Sequence, residues 1–380
     1  MPEGTEGLIS MDNLTKPEEI IASNLTETHR KIFEALSRLN LKDKLDNFLL
    51  IEQEKQAREG HVSGYPYWLT IDPANFCSLR CPFCPTGQGR SSRGRGVLSW
   101  DNFRKTMDEL GTYLLHIDFC NWGEPLLNPD IYRMVKYAKQ YNIDTKIDSN
   151  LNHLNGKGAE DMVLCGLDKL IVSLDGATQE TYSRYRIGGD FDKVMGHLKL
   201  LLKKRKDLGS SHPYISWQFL VFRHNEHEIE EVKKIAKDIG VDHVGITKAF
   251  IGNKEWIPLN EEYSHYKKDE INNDFTSQHF KPPQDMLCNW PWEAIAINPD
   301  GSVSACCSVE DEKDDFGNIF ENAFKEIWNN NKYRQARRFI KDKLKPAQEE
   351  SNICIGCRHS GLINLDILSC HSFFNHQGSI

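Results

Sequence analysis

Asn75-Phe76-Cys77-Ser78-Leu79-Arg80-Cys81-Pro82-Phe83-Cys84 sets three cysteines on one short segment, directly after the strand-like run Trp68–Ile71. Three thiolates so spaced can bind three irons of an iron–sulfur cubane. A closed structural zinc site needs four ligands, and no fourth lies nearby. A cubane with three protein ligands keeps one iron open, and a small molecule can coordinate there. Zinc binding or inert thiols is the competing reading.

Outward from this loop, short apolar strands alternate with amphipathic helices. The strands are expected at Trp68–Ile71, Leu114–Asn121, Asp144–Asp148, Lys169–Leu174, Ile215–Phe222 and His243–Thr247. The helices fall between them at Asn102–Tyr113, Asp130–Tyr141, Ala159–Cys165, Phe191–Asp207 and Glu228–Ile239, with Ser99 as a cap for the first and Pro129 in the first turn of the second. Six strands alternating with helices predict an α/β fold with a parallel sheet. Right-handed crossovers curl such a sheet into a partial (β/α)6, TIM-like barrel. Chemistry in these folds sits at the C-terminal strand ends. Cys77, Gly123-Glu124, Ser149-Asn150, Ser173 and Asp175 all lie there.

The chain has 380 residues, a net charge of -8 and a pI near 6.0. That balance argues against a general nucleic-acid partner. No apolar run is long enough to span a bilayer, and no secretory signal is visible, so no membrane role and a cytoplasmic location are expected. In a reducing compartment the 11 cysteines read as metal-binding or redox groups more readily than as disulfides.

Five segments are expected. Residues 1–62 form a helical N-terminal extension, in which Ile32, Phe33, Leu36 and Leu39 recur at helical spacing. Residues 63–255 form the barrel, 256–287 a polar linker, 288–362 a small α+β domain and 363–380 a tail. In the fourth segment, Ala294 to Ala305 reads as a hairpin turning at Pro299-Asp300-Gly301, followed by short helices near Phe324–Asn329 and Tyr333–Lys341. Its cysteines are Cys288, Cys306, Cys354 and Cys357, enough for one fully ligated cubane. Four cysteines that include a Cys-x-x-Cys pair also suit zinc. Cys307 is adjacent to Cys306 and can compete as a ligand. Cys120, Cys165 and Cys370 read as packed thiols.

The spacing C-x3-C-x2-C, with Phe83 before the last cysteine, resembles the radical S-adenosylmethionine (SAM) superfamily. The resemblance spans roughly residues 66–362. It implies that Cys77, Cys81 and Cys84 hold a [4Fe–4S] cluster and that SAM is the cofactor. It further implies that Gly123-Glu124-Pro125 receives the cofactor's amino group and that Ser149, Asn150, Ser173 and Asp175 contact its ribose and methionine parts. Arg186 resembles an arginine that pairs with the cofactor carboxylate, a bidentate task suited to a guanidinium. Cys288-x12-Gly301-x4-Cys306 resembles the opening of SPASM and twitch domains. The later cysteines of a full SPASM domain are absent, Ile363 occupying the first expected place, so one auxiliary [4Fe–4S] cluster, twitch-like, is expected.

The resemblance implies reductive SAM cleavage to a 5′-deoxyadenosyl radical, which abstracts hydrogen from a substrate carbon, with an external flavodoxin- or ferredoxin-type reductant. An auxiliary cluster can accept a further electron. The leading expectation is therefore an oxidoreductase that dehydrogenates or epimerises a small-molecule substrate such as a sugar or cyclitol. The alternative is a maturase of a ribosomally made peptide, although residues 1–62 do not match the winged-helix peptide-recognition domain of some relatives. A non-catalytic iron–sulfur or zinc protein is the third reading. Candidate substrate contacts are Gln218, Arg223, His224 and Lys248. The run Arg90-Ser-Ser-Arg-Gly-Arg reads as an anion site or a solvated loop. The oligomeric state is not legible.

Overall fold

A computed structural model describes residues 26–266, 288–342, 352–355 and 357. Six parallel strands form the barrel wall: β1 (Trp68–Ile71), β2 (His116–Asp118), β3 (Asp144–Ser149), β4 (Lys169–Ser173), β5 (Tyr214–Val221) and β6 (His243–Lys248). Period-two alternation decides their faces. Leu69, Ile71, Ile117, Ile147, Leu170 and Val172 join the main apolar core, while His116, Asp118, Asp144 and Lys146 bond to one another on the opposite face.

The helices on the apolar face are α3 (Trp100–Leu110), α4 (Ile131–Lys139), α5 (Gly156–Leu164), α6 (Gln179–Tyr185), α7 (Phe191–Asp207) and α8 (Ile229–Ile239). Each buries one stripe. In α3 the stripe is Phe103, Thr106, Met107 and Leu110, and the Ser99 hydroxyl caps the helix by accepting from the Asn102 N–H at 3.2 Å. Burying one such large apolar side chain stabilises the fold by about 1.5–3 kcal/mol. Pro129 lies just ahead of α4, outside its first turn. Helix α6 was not anticipated: Thr178 caps it, and only Tyr182 and Tyr185 are buried, too few for a periodic signal.

Strand β2 is shorter than the Leu114–Asn121 run. Past Phe119 the N–H groups of Asn121, Trp122 and Gly123 turn to the Asp72 carboxylate instead of a neighbouring strand.

The N-terminal segment supplies α1 (Glu27–Arg38) and α2 (Lys42–Ala57), which close the N-terminal end of the barrel around Leu36, Phe48, Ile51, Tyr67 and Trp68. Lys55 of α2 is buried between Glu52 at 2.5 Å and Glu293 at 2.7 Å, and the Tyr67 hydroxyl donates to Glu293 at 2.9 Å. Desolvation opposes the Lys55 charge, but the two carboxylates outweigh it and raise its pKa.

The C-terminal segment extends the same sheet. After the short helix α9 (Trp290–Glu293), β7 (Ala294–Ile297) pairs parallel to β1, and β8 (Ser302–Ser304) and β9 (Gly317–Asn318) follow antiparallel. The strand order is β6-β5-β4-β3-β2-β1-β7-β8-β9, a nine-stranded sheet with β6 and β9 at its ends. The expected hairpin turn is present, with Gly301 at φ 86°, a left-handed conformation that favours glycine. Helices α10 (Phe324–Trp328) and α11 (Asn331–Asp342) pack behind it. Among the described residues no helix is long and apolar enough to cross a membrane. Most of the expected linker and all of the expected tail lie outside the described residues.

Candidate active site

Asp72, at the end of β1, organises the C-terminal mouth of the barrel. Its carboxylate accepts from the backbone N–H of Asn121 at 2.8 Å, Trp122 at 3.0 Å and Gly123 at 3.3 Å. Burial pushes its pKa up to about 6, against the pull of these donors. Glycine is required at 123: a Cβ there would stand 1.6 Å from the Ala74 carbonyl oxygen. The next residue donates its N–H to the Phe76 carbonyl at 2.9 Å. The Gly-Glu-Pro turn is thus stitched to the cysteine loop through main chain.

Glu124 extends the stitching to β3. It accepts from the Ser149 hydroxyl at 2.7 Å, the Asn150 N–H at 2.9 Å and the Leu126 N–H at 3.1 Å. Burial raises its pKa against these donors. Its carboxylate is fully engaged within the protein. Pro125 is buried at the start of a single 3-10 turn.

One pocket gathers Cys77, Cys81 and Cys84 with Gly123, Glu124, Ser149, Asn150, Ser173 and Arg186. Pro125 and Asp175 are not on its wall. Asp175 is fully buried behind Arg186, accepting from its Nε at 2.5 Å and from the Leu220 N–H at 2.7 Å. Both its oxygens accept hydrogen bonds within the protein, where a cofactor contact was expected. Burial opposes the Arg186 charge, but Asp175 outweighs it and raises the pKa.

The residues at this loop fit a thiolate-bound cluster. The Leu79 N–H and the Asn150 side-chain amide both point at the Cys77 sulfur at 3.4 Å, and the Gly87 N–H points at the Cys84 sulfur at 3.5 Å. Such donors favour sulfur in its anionic, metal-binding form. Without a cation, burial pushes the Cys77 thiol up to about 11. Among the described residues no three of His, Cys, Asp and Glu converge on a point that would hold a single ion. The three cysteines line a shared pocket instead.

At the second group, Cys306 and Cys357 stand in the electrostatic surroundings of Cys288, and Cys288, Cys306 and Cys357 in those of Cys354. Burial pushes Cys288 up to about 12 and Cys306 up to about 11. Cys307 packs on the same apolar cluster as Cys288 and Cys306, and its other charged neighbours are Asp118 and Lys146 inside the barrel. Cys165 is packed beneath α5, its thiol against the Met162 carbonyl at 3.3 Å. Cys370 lies outside the described residues.

Other expectations change. Arg93 binds no free anion: its guanidinium is buried on Asp315, at 2.5 and 2.7 Å, and so ties the loop after the cysteines to the second region. Arg223 donates to the Ile257 carbonyl at 2.9 Å, and His224 packs on Phe222 and Trp256, where burial lowers its pKa to about 4. Gln218 lies beside Ser173 at 3.5 Å. Sequence reading missed Asp72, Cys120, Asn121, Trp122 and Asp148 as residues of this mouth. The available signal was strand alternation, which puts Asp72 and Asp148 on the inward face at strand ends.

A model of the radical SAM superfamily matches residues 71–238, and a model of an iron–sulfur cluster-binding domain (SPASM) matches residues 288–358. The chain is 27% identical over 165 residues to the AdoMet-dependent heme synthase of Methanosarcina barkeri, covering 43% of this chain and 45% of that protein. It therefore spans less than half of that relative's length. It is 23% identical over 283 residues to the PqqA peptide cyclase of Gluconobacter oxydans, covering 70% of this chain and 76% of that one. The crystal structure of Streptococcus suis SuiB bound to precursor peptide SuiA superposes with a TM-score of 0.54 at 15% identity, covering 77% of this chain and 70% of that chain. The chain belongs to the radical SAM superfamily, an enzyme with SAM and a [4Fe–4S] cluster as cofactors and a C-terminal SPASM domain for auxiliary iron–sulfur chemistry.

Proposed function

We propose that this enzyme abstracts hydrogen from a peptide substrate and matures it. The observation that carries the radical chemistry is the single pocket in which three cysteines meet the Glu124–Ser149–Asn150 network and Arg186. The peptide reading draws support from relatives named for peptide work, the PqqA peptide cyclase among them. It replaces the small-molecule dehydrogenation or epimerisation that the sequence alone favoured. A hydroxylated small molecule stays as the second reading, because the inward face of β2 and β3 is lined by Asp118, Lys146 and Asp148 instead of apolar side chains.

Cys77, Cys81 and Cys84 hold the first cluster, and the N–H groups of Leu79, Asn150 and Gly87 temper the charge on sulfur. Arg186, aligned by Asp175, presents its guanidinium to the cofactor carboxylate. Gly123, Glu124 and Pro125 offer main-chain groups to the amino end. The Glu124 side chain is spent on keeping Ser149 and Asn150 in place, where they border the remaining part of the cofactor with Ser173. Cys288, Cys306, Cys354 and Cys357 hold one auxiliary cluster. When bound, the first cluster and SAM supply reductive opening of the sulfonium and hydrogen-atom abstraction. The barrel walls orient the substrate and exclude water. The electron comes from a flavodoxin- or ferredoxin-type donor.

Anaerobic incubation of reconstituted protein with SAM and a reductant tests this. We expect 5′-deoxyadenosine, together with a mass change in a peptide fraction of the native cell extract and none in its metabolite fraction. A change confined to metabolites would return the small-molecule reading, and no 5′-deoxyadenosine at all would sink both.

A further inference from the structure

The barrel's inward face carries a ladder of charge beneath the cofactor pocket. Its members are His116 and Asp118 on β2, and Asp144, Lys146 and Asp148 on β3. Asp144 holds His116 at 2.7 Å, and His116 reaches Asp118 at 3.0 Å. Asp118 also accepts from the Trp68 indole at 2.9 Å and holds Lys146 at 2.8 Å. Asp148 is the top rung and differs from the rest. Its Oδ2 makes a long ion pair with the Lys146 ammonium at 3.6 Å, and its enclosed Oδ1 has no hydrogen-bond partner. The buried carboxylates around it are all engaged: Asp72 with three N–H groups, Glu124 with three donors, Asp175 with two.

The Asp148 side chain is 35% exposed, but its enclosed Oδ1 has no donor, a cost in free energy that a bound group can recover. Asp148 is on the wall of the pocket that holds Cys77, Cys81 and Cys84. Asn121 is on the same wall, and its buried side-chain Nδ2 likewise lacks a partner. One pocket therefore presents an unanswered acceptor and an unanswered donor. Neither is among the residues given a part in holding cluster or cofactor.

We propose that Asp148 and Asn121 form the anchoring subsite of the substrate and take a neutral group that donates and accepts at once, a hydroxyl or a carboxamide. An ammonium has no lone pair to offer Asn121, and a carboxylate has no proton to offer Asp148. Burial raises the Asp148 pKa and outweighs Lys146 at the flank, which favours the ionised form. This proposal rests on the radical SAM reading for what happens next, and it deepens it: the carbon to be attacked lies near a hydroxyl or amide of the substrate.

The test uses reconstituted, unreduced holoenzyme with SAM and four probes: 1-butanol, butyramide, n-butylamine and butyrate. Saturation-transfer NMR is expected to show binding of 1-butanol or butyramide, with the stronger of the two telling hydroxyl from amide, and weaker transfer to the two ions. Asp148→Asn and Asn121→Ala should each reduce that transfer by roughly tenfold, the loss of one hydrogen bond in a buried site. Equal transfer among all four probes, no transfer to either neutral probe, or transfer unchanged in both variants would overturn the subsite. In a second arm the perdeuterated neutral probe is added under reduction, and the deuterated fraction of the 5′-deoxyadenosine is read. Enrichment in the wild type that falls in Asp148→Asn supports the subsite, and enrichment that is absent or independent of Asp148 contradicts it. Failure to form any 5′-deoxyadenosine would strike the radical reading instead, with the binding arm still deciding the subsite.

Discussion

The two cysteine groups are built on opposite plans. The first takes three thiols from one loop, Cys77 to Cys84, and mixes them with an arginine, a carboxylate and side-chain amides on the wall of an open pocket. The second takes four thiols from three separated places, Cys288, Cys306 and the Cys354–Cys357 pair. Around them lie buried aromatics, with Trp290, Trp292, Trp328 and Tyr333 each at most 3% exposed. On the proposed reading, three ligands plus polar groups leave room for something that exchanges, whereas four ligands leave none. That proposal gives binding and bond-breaking to the first region, and to the second a fixed centre whose variables are charge and electron flow.

The sharpest way to break this contrast is to remove one cysteine from each side. Cys81→Ala should abolish 5′-deoxyadenosine formation, to below about a thousandth of the wild-type rate, and leave about half of the iron, since the two cubanes carry equal iron. Cys354→Ala should lose a similar share of iron while 5′-deoxyadenosine still forms in the absence of substrate. Iron analysis with chromatography of the nucleoside product checks both. Loss of cofactor cleavage in Cys354→Ala would show that the second region is part of the bond-breaking site.

Gly123→Ala attacks the stitching of the first region alone. The new methyl would collide with the Ala74 carbonyl, a main-chain group that cannot swing aside. The loop must then pull away from Asp72, and we expect a loss of about 3 kcal/mol in stability. SAM binding, measured by calorimetry on the reconstituted protein, should fall with it, while iron at the second region is retained.

Much of this plan was visible in the residues. The cysteine loop and five of the six barrel strands, each to within one residue, follow from spacing and periodicity, because local pattern determines them, while the part of the Gly-Glu-Pro turn came from the family resemblance. Part of the pocket wall was not visible, namely Cys120, Asn121, Trp122 and Asp148. Asp148 looks like an ordinary strand-end polar residue until the sheet brings β2 and β3 together at the register Asp118 to Lys146, and Asp72 until β1 meets β2 at the register Thr70 to Asp118. The same holds for Arg93, whose partner Asp315 is 222 residues away, and for the pairing of β7 with β1. Contacts between distant segments depend on topology, and spacing along the chain does not encode them.

Asp175→Asn tests the claim that this residue acts through Arg186. The amide keeps the shape but removes the charge that aligns the guanidinium, so SAM affinity should weaken by roughly tenfold, the worth of one charge-assisted hydrogen bond. Arg186→Lys should weaken it about as much, since an ammonium cannot reproduce the fork. The double variant should be little worse than either single one, the mark of two residues acting as a unit. Additive losses would mean that Asp175 meets the cofactor by its own route.

The smallest expected effect concerns the seam between the two regions. Arg93 leaves the cysteine side and gives its guanidinium to acceptors of the other side: both oxygens of Asp315, the hydroxyls of Ser302 and Ser304, and the Asp311 carbonyl. Arg93→Lys retains the positive charge, so Asp315 is not stranded, but three donors cannot serve five acceptors in that geometry. A loss of about 1–2 kcal/mol follows, read as a lowered midpoint in thermal or denaturant unfolding. SAM affinity should change by no more than about twofold, because the pocket is fastened by Asp72 and Glu124 and Arg93 is not on its wall. A tenfold loss of affinity in this variant would mean that the seam transmits strain into the pocket, and the two regions would have to be treated as one site.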